Sequence, residues 1–372
     1  NPGLDTECSY FFEIIAAIYV SSVDFIISII IANIIYMKTK LPTVTFVTPT
    51  LNSESTIREC IESVNKLSYP KELIRMFIMD DGSKDKTLSI AREYSFCRVF
   101  NVKTSGAEEA TAIGFSKATS EYVVNFSSDN IIPTKNWLVA MLKPFEKNEL
   151  LTASQPINYT HRRSDKLLNR YFALFGMNDP VAFYLDKRDR RTYYEFGWHL
   201  PTLSVDYGTY YESSFTKENM PTLGANGCVF KTKTIQQVTK DPKLFSHIDS
   251  CVDLLRLGSS RYAFVKVSLW HKSGESFFNY FYKRRHYALV LYFNKKHHRR
   301  YHLYNPSKDR LKLIRYIFYS LTGIEPLIQS IRGYSVIRDP AWFLHPIICF
   351  LTTINYFLVV VKFRVHRATG RY

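Results

Sequence analysis

What this chain lacks narrows its class before any motif is read. Its six cysteines (Cys8, Cys60, Cys97, Cys228, Cys251 and Cys349) are scattered, with no CxxC pair and no zinc-finger spacing. That argues against a disulfide-stapled scaffold and a structural zinc site, and leaves the thiols as small apolar residues in cores or lipid. No internal repeat or low-complexity stretch interrupts the chain, so neither a solenoid nor a flexible linker is expected. Acidic charge is in deficit, with 33 Asp and Glu against 49 Lys and Arg, for a net charge of +16. A surplus of that size calls for an anionic partner: nucleic acid, anionic lipid or nucleotide phosphate. No nucleic-acid reading module is recognisable, so nucleic acid is not expected as a partner. The surplus gathers in "KRRHYALVLYFNKKHHRRYH" (283–302) and in "KFRVHRATGR" (362–371), which follows an apolar span as juxtamembrane basic segments do.

Two long apolar runs are present. "IIAAIYVSSVDFIISIIIANIIY" (Ile14 to Tyr36) carries one charge, Asp24, and is long enough to cross a bilayer, giving an expected membrane helix over 10–38. With no basic stretch before it and no small-residue cleavage site, it does not read as a signal peptide. "AWFLHPIICFLTTINYFLVVV" (Ala341 to Val361) predicts a second membrane helix over 340–363. Lys38 and Lys40 follow the first run, and Lys362, Arg364, His366 and Arg367 the second, so the positive-inside rule puts both flanks in the cytoplasm. Two spans satisfy this only if a third segment crosses or one span is re-entrant. The segment 308–334 contains "LKLIRYIFYSLTGIEPLIQSI" and reads as an amphipathic interfacial helix, or as a membrane helix broken around Gly323 and Pro326.

Between 42 and 300 the pattern is that of a soluble α/β domain. "TVTFVTPT", "RMFIMDDGS", "CRVFNVKT" and "EYVVNF" read as strands, separated by helical stretches, the signal of a parallel sheet. In such sheets ligands bind beyond the carboxyl ends of the strands. Three strands end in unusual chemistry: "TPTLNSE" after the first, "DDGSKDKT" after the second and "SSDN" after the fourth. Each alone is a turn or a helix cap. Together they read as one site, in which Asp80 and Asp81 are exposed carboxylates for base or ribose hydroxyls. Gly82 would let the backbone approach the ligand, and Asp129 would lie where a divalent cation bridges a diphosphate.

The segment from Pro42 to Thr87, with "SGAEEATAIGFSKATSEYVVNFSSDN" after it, resembles the nucleotide-binding half of a family 2 glycosyltransferase with the GT-A fold, a Rossmann-like nucleotide-sugar domain. The likeness runs more loosely to about residue 287. It implies that Pro49, Thr50, Asn52, Glu54, Asp80, Asp81, Gly82, Ser128 and Asp129 bind the donor, with Mg²⁺ or Mn²⁺ on its diphosphate. Where the family places Asp-x-Asp, this chain has Ser127 before Asp129, so His271 in "SLWHKSGES" is the expected further metal ligand. Gly224, Ala225, Asn226 and Gly227 match the loop under the acceptor sugar. Asp249, or Asp253, takes the place of the catalytic base, which an inverting transfer to a hydroxyl requires and a phosphate acceptor does not. Arg284 and Arg285, in a loose match to a Gln-x-x-Arg-Trp element, would either neutralise the leaving diphosphate or form a solvated face against anionic lipid head groups. The aromatic and charged stretch 175–200 is expected to shape the acceptor pocket.

The resemblance and the apolar runs together imply an integral membrane glycosyltransferase with its catalytic domain on the cytoplasmic side. Its expected partners are a nucleotide-sugar donor, a lipid-phosphate or lipid-linked saccharide acceptor, and membrane lipids. The alternatives are a processive polysaccharide synthase of the same family and a non-catalytic sugar-nucleotide-binding membrane protein, the latter suggested by Ser127.

Overall fold

The structure is a computed structural model that describes residues 41–200, 202–272, 276–289 and 299–368; the apolar run Ile14 to Tyr36 lies outside them. Its centre is a ten-stranded mixed sheet. The strands are β1 (Val44–Thr50), β2 (Ile74–Asp80), β3 (Cys97–Asn101), β4 (Tyr122–Asn125), β5 (Asn130–Ile131), β6 (Leu151–Tyr159), β7 (Ser204–Asp206), β8 (Tyr210–Ser214), β9 (Cys228–Lys231) and β10 (Arg261–His271). Their spatial order is β3-β2-β1-β4-β9-β6-β10-β8-β7, with β5 pairing β10 off this path.

The first four strands are parallel. β1 is buried along nearly its whole length because helices cover both faces, which is why it reads as a continuous run rather than an alternating one. On one face lie α1 (Glu54–Asn65), α2 (Thr87–Arg92) and, further along the chain, α4 (Trp137–Lys147). On the other lies α3 (Ala107–Lys117). β9 then joins β4 antiparallel, and β6 joins β9 antiparallel, so the second half of the sheet is mixed.

Short helices follow: α5 (Leu167–Phe175), α6 (Pro180–Tyr184), α7 (Thr232–Gln236), α8 (His247–Arg256) and α9 (Phe277–Tyr287). Three longer ones close the chain: α10 (Pro306–Thr322), α11 (Ile324–Val336) and α12 (Leu344–Ala368). Gly323 at φ +69° ends α10 in a left-handed cap, its N–H donating to the Tyr319 carbonyl at 2.8 Å. The expected break therefore falls at Gly323, while Pro326 sits in the first turn of α11, where its missing N–H costs nothing. Neither half, at 17 and 13 residues, has the length that crosses a bilayer unaided. Pro340–Val365 is long and apolar enough to do so.

Gly333 of α11 lets that helix lie against Trp342, since a Cβ there would come within 2.4 Å of the indole. Ser330 Oγ donates to the Trp342 carbonyl at 2.8 Å. α10 to α12 belong to the same compact unit as the sheet.

Candidate active site

The carboxyl ends of β1, β2 and β4 are stitched together by their own side chains. The Asn52 N–H donates to Ser83 Oγ at 2.9 Å, and Asn52 Oδ1 accepts from the Lys84 N–H at 2.9 Å. Glu54 accepts from the Lys86 N–H, and the Ser53 N–H donates to Thr87 Oγ1. Ser53 Oγ meets Ser128 Oγ at 3.0 Å, joining the first strand end to the fourth. The three short motifs thus form one surface. Several of their polar side chains, Asn52, Glu54 and Ser128 among them, are engaged in building it.

Asp80 corrects the sequence reading. It is 2% exposed, and its carboxylate accepts from the Gly82 and Ser83 N–H groups at 3.0 Å, from Ser83 Oγ at 2.5 Å and from Thr50 Oγ1 at 3.3 Å. It shapes the turn rather than facing a ligand, and Gly82 adopts φ +92° inside that turn. Asp81 is half-buried and accepts from the Thr104 N–H and hydroxyl at 2.9 and 3.0 Å.

Asp129 behaves differently. β5 pairs antiparallel with the end of β10, with His271 opposite Asn130, and this register brings His271 Nε2 to 3.2 Å from Asp129 Oδ2. The Lys272 N–H closes the ribbon on the Asp129 carbonyl at 2.8 Å. Burial pushes the Asp129 carboxyl up, but the charge and hydrogen bond of His271 outweigh it and leave the group below its ordinary value. Its Oδ1 is buried with no hydrogen-bond partner among the described residues. A buried anionic oxygen left open costs free energy unless a ligand or ion meets it. One carboxylate and one imidazole on adjoining strands are a suitable donor pair for a divalent cation. No cluster of three or more such groups occurs among the described residues.

From here a cleft of about 800 Å³ runs along the sheet end, lined by Pro49, Asn125, Ser127, Tyr159, Asp189, Ala225, Asn226, His247, His271 and Arg284. Gly224, Asn226 and Gly227 all have positive φ (98°, 41° and 81°), so this loop curls tightly. Glycine is required at 224, where a Cβ would stand 3.0 Å from the His247 carbonyl. The loop is pinned by the Gly227 N–H on the Asn125 carbonyl at 2.7 Å and by Asn226 Nδ2 on Tyr159 Oη at 3.0 Å. Arg190 donates to the Asn226 carbonyl at 2.8 Å.

That arginine lies in the 175–200 stretch expected to shape the acceptor pocket, where no single residue stood out. "KRDRR" (187–191) has the composition of a solvated face, yet Lys187, Arg188, Asp189 and Arg190 are buried. Each charge has a partner: Lys187 with Asp309 at 2.8 Å, Arg188 with Glu195, and Arg190 with Asp189 at 2.7 Å. The available signal was position, a charge run flanked on both sides by aromatics.

Three further expectations change. Asp249 lines the cleft, but it is 2% exposed and accepts from the Arg300 and Tyr301 N–H groups at 3.1 and 2.8 Å, with Arg299 at 3.4 Å. Its oxygens are committed to anchoring the chain before α10. Asp253, one turn on, is not among the cleft residues and pairs with Arg300 at 2.6 Å and Arg256 at 3.1 Å. Arg284 lines the cleft and donates to the Asn178 carbonyl at 2.6 Å, whereas Arg285 is exposed and not among the lining residues.

A parallel Rossmann-like half with strand-end motifs, extended by an antiparallel half that carries a carboxylate–imidazole pair, defines a GT-A-type α/β domain. Residues 45–217 match the model of the family described as Glycosyl transferase family 2. It is similar to the glycosyltransferase AglE of Haloferax volcanii, 22% identical over 146 residues, which are 38% of this chain and 48% of the relative. It is also similar to the cholesterol galactosyltransferase of Borreliella burgdorferi, 35% identical over 86 residues, 22% of this chain and 23% of the relative. The matched stretch thus spans about half the length of the first relative and a quarter of the second. Among solved structures, a mannosyltransferase of Pyrobaculum calidifontis in complex with GDP-Man and Mn²⁺ aligns over 85% of this chain and 87% of its own. The identity there is 15% and the TM-score 0.49.

Proposed function

We propose that the protein is a membrane-bound, inverting glycosyltransferase that moves a sugar from a nucleotide-activated donor to a lipid-phosphate or lipid-linked saccharide acceptor. The observation that carries the reading is the meeting of Asp129 and His271 at the cleft end of a family 2 domain, with one buried carboxylate oxygen left open. These two residues would hold a Mn²⁺ or Mg²⁺ ion, whose chemistry is to neutralise the leaving diphosphate as a Lewis acid. An imidazole in the donor set suits Mn²⁺ better than Mg²⁺, which prefers an all-oxygen octahedron.

The chain's own residues divide the remaining work. Asp81 and the Gly82 backbone would serve the nucleoside. Arg284 adds positive charge over the diphosphate. Ala225 and Asn226 form the floor on which the acceptor rests, and Arg190 fixes that floor from beneath. With the donor assigned to Asp129 and the acceptor to the loop 224–227, transfer would be a single displacement at the sugar carbon.

A lipid acceptor is supported by α12. Tyr356, on the apolar helix, lines the cleft, and its hydroxyl donates to Asp179 at 2.5 Å. An acceptor held in lipid would reach the cleft along this helix. Lys38 and Lys40 stand immediately before the domain, so by the positive-inside rule it lies on the cytoplasmic side.

The test is turnover. Purified full-length protein is incubated with Mn²⁺, a panel of uridine-, guanosine- and thymidine-diphosphate sugars and a polar lipid extract. Release of one nucleoside diphosphate together with a glycosylated lipid is expected. Absence of release from every donor would overturn the transferase reading.

A further inference from the structure

We propose that the base of the transfer is His247, oriented by Glu108, and that the acceptor atom is accordingly a hydroxyl rather than a phosphate oxygen. This rests on the transferase reading above and deepens it.

The carboxylates that line the cleft beside the acceptor loop each hold hydrogen bonds or an ion pair of their own. Asp249 is taken by two backbone N–H groups and Arg299. Asp189 is taken by Arg190 and by Gln155 Nε2 at 3.2 Å. Asp179 caps α6 through the Val181 N–H and also accepts from Arg284 and Tyr356. Glu109 accepts from the Ser105 N–H and hydroxyl. Asp249 and Asp179 have both oxygens engaged, and the bonds of Asp189 and Glu109 fall on Oδ2 and Oε2.

His247 is arranged otherwise. It opens α8, and Glu108 opens α3 on the facing side of the cleft. Glu108 Oε1 lies 2.5 Å from His247 Nδ1, and its Oε2 accepts the His247 N–H at 3.0 Å. The carboxylate therefore fixes both the ring and the backbone that carries it, and selects the tautomer with the proton on Nδ1. Nε2 is left as the acceptor and makes no hydrogen bond among the described residues. The ring is 23% exposed and lines the same cleft as His271.

The acceptor loop connects the two histidines. At one end Gly224 packs on the His247 carbonyl. At the other, Asn226 holds Tyr159, whose ring lies 5.9 Å from that of His271. The loop thus joins the His271 end of the cleft, assigned to the donor, to His247, assigned to the acceptor hydroxyl.

The step balances as a single displacement. The acceptor oxygen forms its bond to the anomeric carbon and the carbon–oxygen bond to the diphosphate breaks. That electron pair leaves on the nucleoside diphosphate, and the hydroxyl proton goes to Nε2. An ionised phosphate would need no such group.

The charged and titratable groups that line the cleft with His247 are Glu108 and Glu109 from α3, Asp179, Arg188 and Asp189 around α6, Arg284 and His286 of α9, His271 of β10, Arg299 before α10, and Lys243 and Asp249 of its own segment. Burial lowers the imidazole value, but Glu108 raises it further, with Arg299 opposing and Asp189 assisting, so the net shift is upward.

The experiment measures kcat and kcat/KM against pH for wild type, His247→Asn and Glu108→Gln, alongside nucleoside diphosphate affinity in Mn²⁺. Wild type should show an acid limb above the ordinary imidazole value of about 6.5. His247→Asn should lose the limb and about 10²–10⁴-fold in kcat with nucleotide affinity unchanged. Glu108→Gln should move the limb to lower pH, and added imidazole should restore turnover to His247→Ala. A retained limb in His247→Asn would overturn the assignment, as would loss of nucleotide binding in step with activity, which marks a structural role. Wild-type protein that turns over no donor would instead overturn the transferase reading on which the proposal rests.

Discussion

Asp129 has two oxygens with different fates, one bonded to His271 and the other buried and open, whereas both oxygens of Asp80 close a turn. Sequence shows both as acidic residues at strand ends and cannot distinguish them, because the difference lies in which backbone N–H groups the local turn points inward. Gly82 and Ser83 supply those groups for Asp80; the β5–β10 ribbon supplies an imidazole for Asp129. Arg190 is the residue whose environment departs furthest from its composition. Fully buried, it ties Asp189 to the Asn226 carbonyl. Arg190→Met removes one partner of a buried pair and leaves Asp189 uncompensated. A loss of about 3–5 kcal/mol is expected from chemical denaturation, together with impaired turnover from a loosened 224–227 loop. A stability change within about 0.5 kcal/mol would show that the pair is dispensable.

Among elements, the alternating first half of the domain was legible residue by residue. β1 to β4 and the helices between them follow directly from apolar runs punctuated by Gly, Asp and Ser. The second half was not, because β6, β9 and β10 pair across large sequence separations and no local pattern encodes which strand neighbours which. His271 could be singled out, but its approach to Asp129 depends on that pairing. The Glu108–His247 contact between α3 and α8 is equally non-local, and it makes stability depend on pH at both ends. The folded value of His247 is raised, so its contribution is complete below about pH 6.5 and is lost as pH rises through the raised value. The Glu108 value is lowered against the effect of its burial by the charge and hydrogen bonds of His247. Its contribution is present above about pH 4.3 and is lost as pH falls through the lowered value. Melting temperature should therefore plateau between these limits and decline on the alkaline side. Glu108→Gln should flatten that decline; an unchanged profile in the variant would remove the pair as its source.

At the scale of the whole molecule, α10 to α12 leave an apolar surface in solvent, including Leu311, Phe318, Ile324, Ile328 and Phe357, each more than half exposed. Basic residues flank it, with Lys312 and Arg315 on α10 and Lys362 and Arg364 on α12. An apolar face edged by cations matches a bilayer with anionic head groups, and Tyr356 carries that face to the cleft. Flotation with vesicles should increase with anionic lipid content and weaken in Phe318→Glu and Ile328→Glu; binding indifferent to both would argue against this docking surface.

The central claim, that Asp129 and His271 form the donor site, is tested most directly by calorimetric titration of the full-length protein with nucleoside diphosphates. The titrations are run in Mn²⁺, then with chelator, and in parallel with Asp129→Ala. The account predicts that one nucleotide binds in Mn²⁺ and is lost on chelation and in the variant. Binding of equal strength in all three conditions, or of no nucleotide in any, would contradict it.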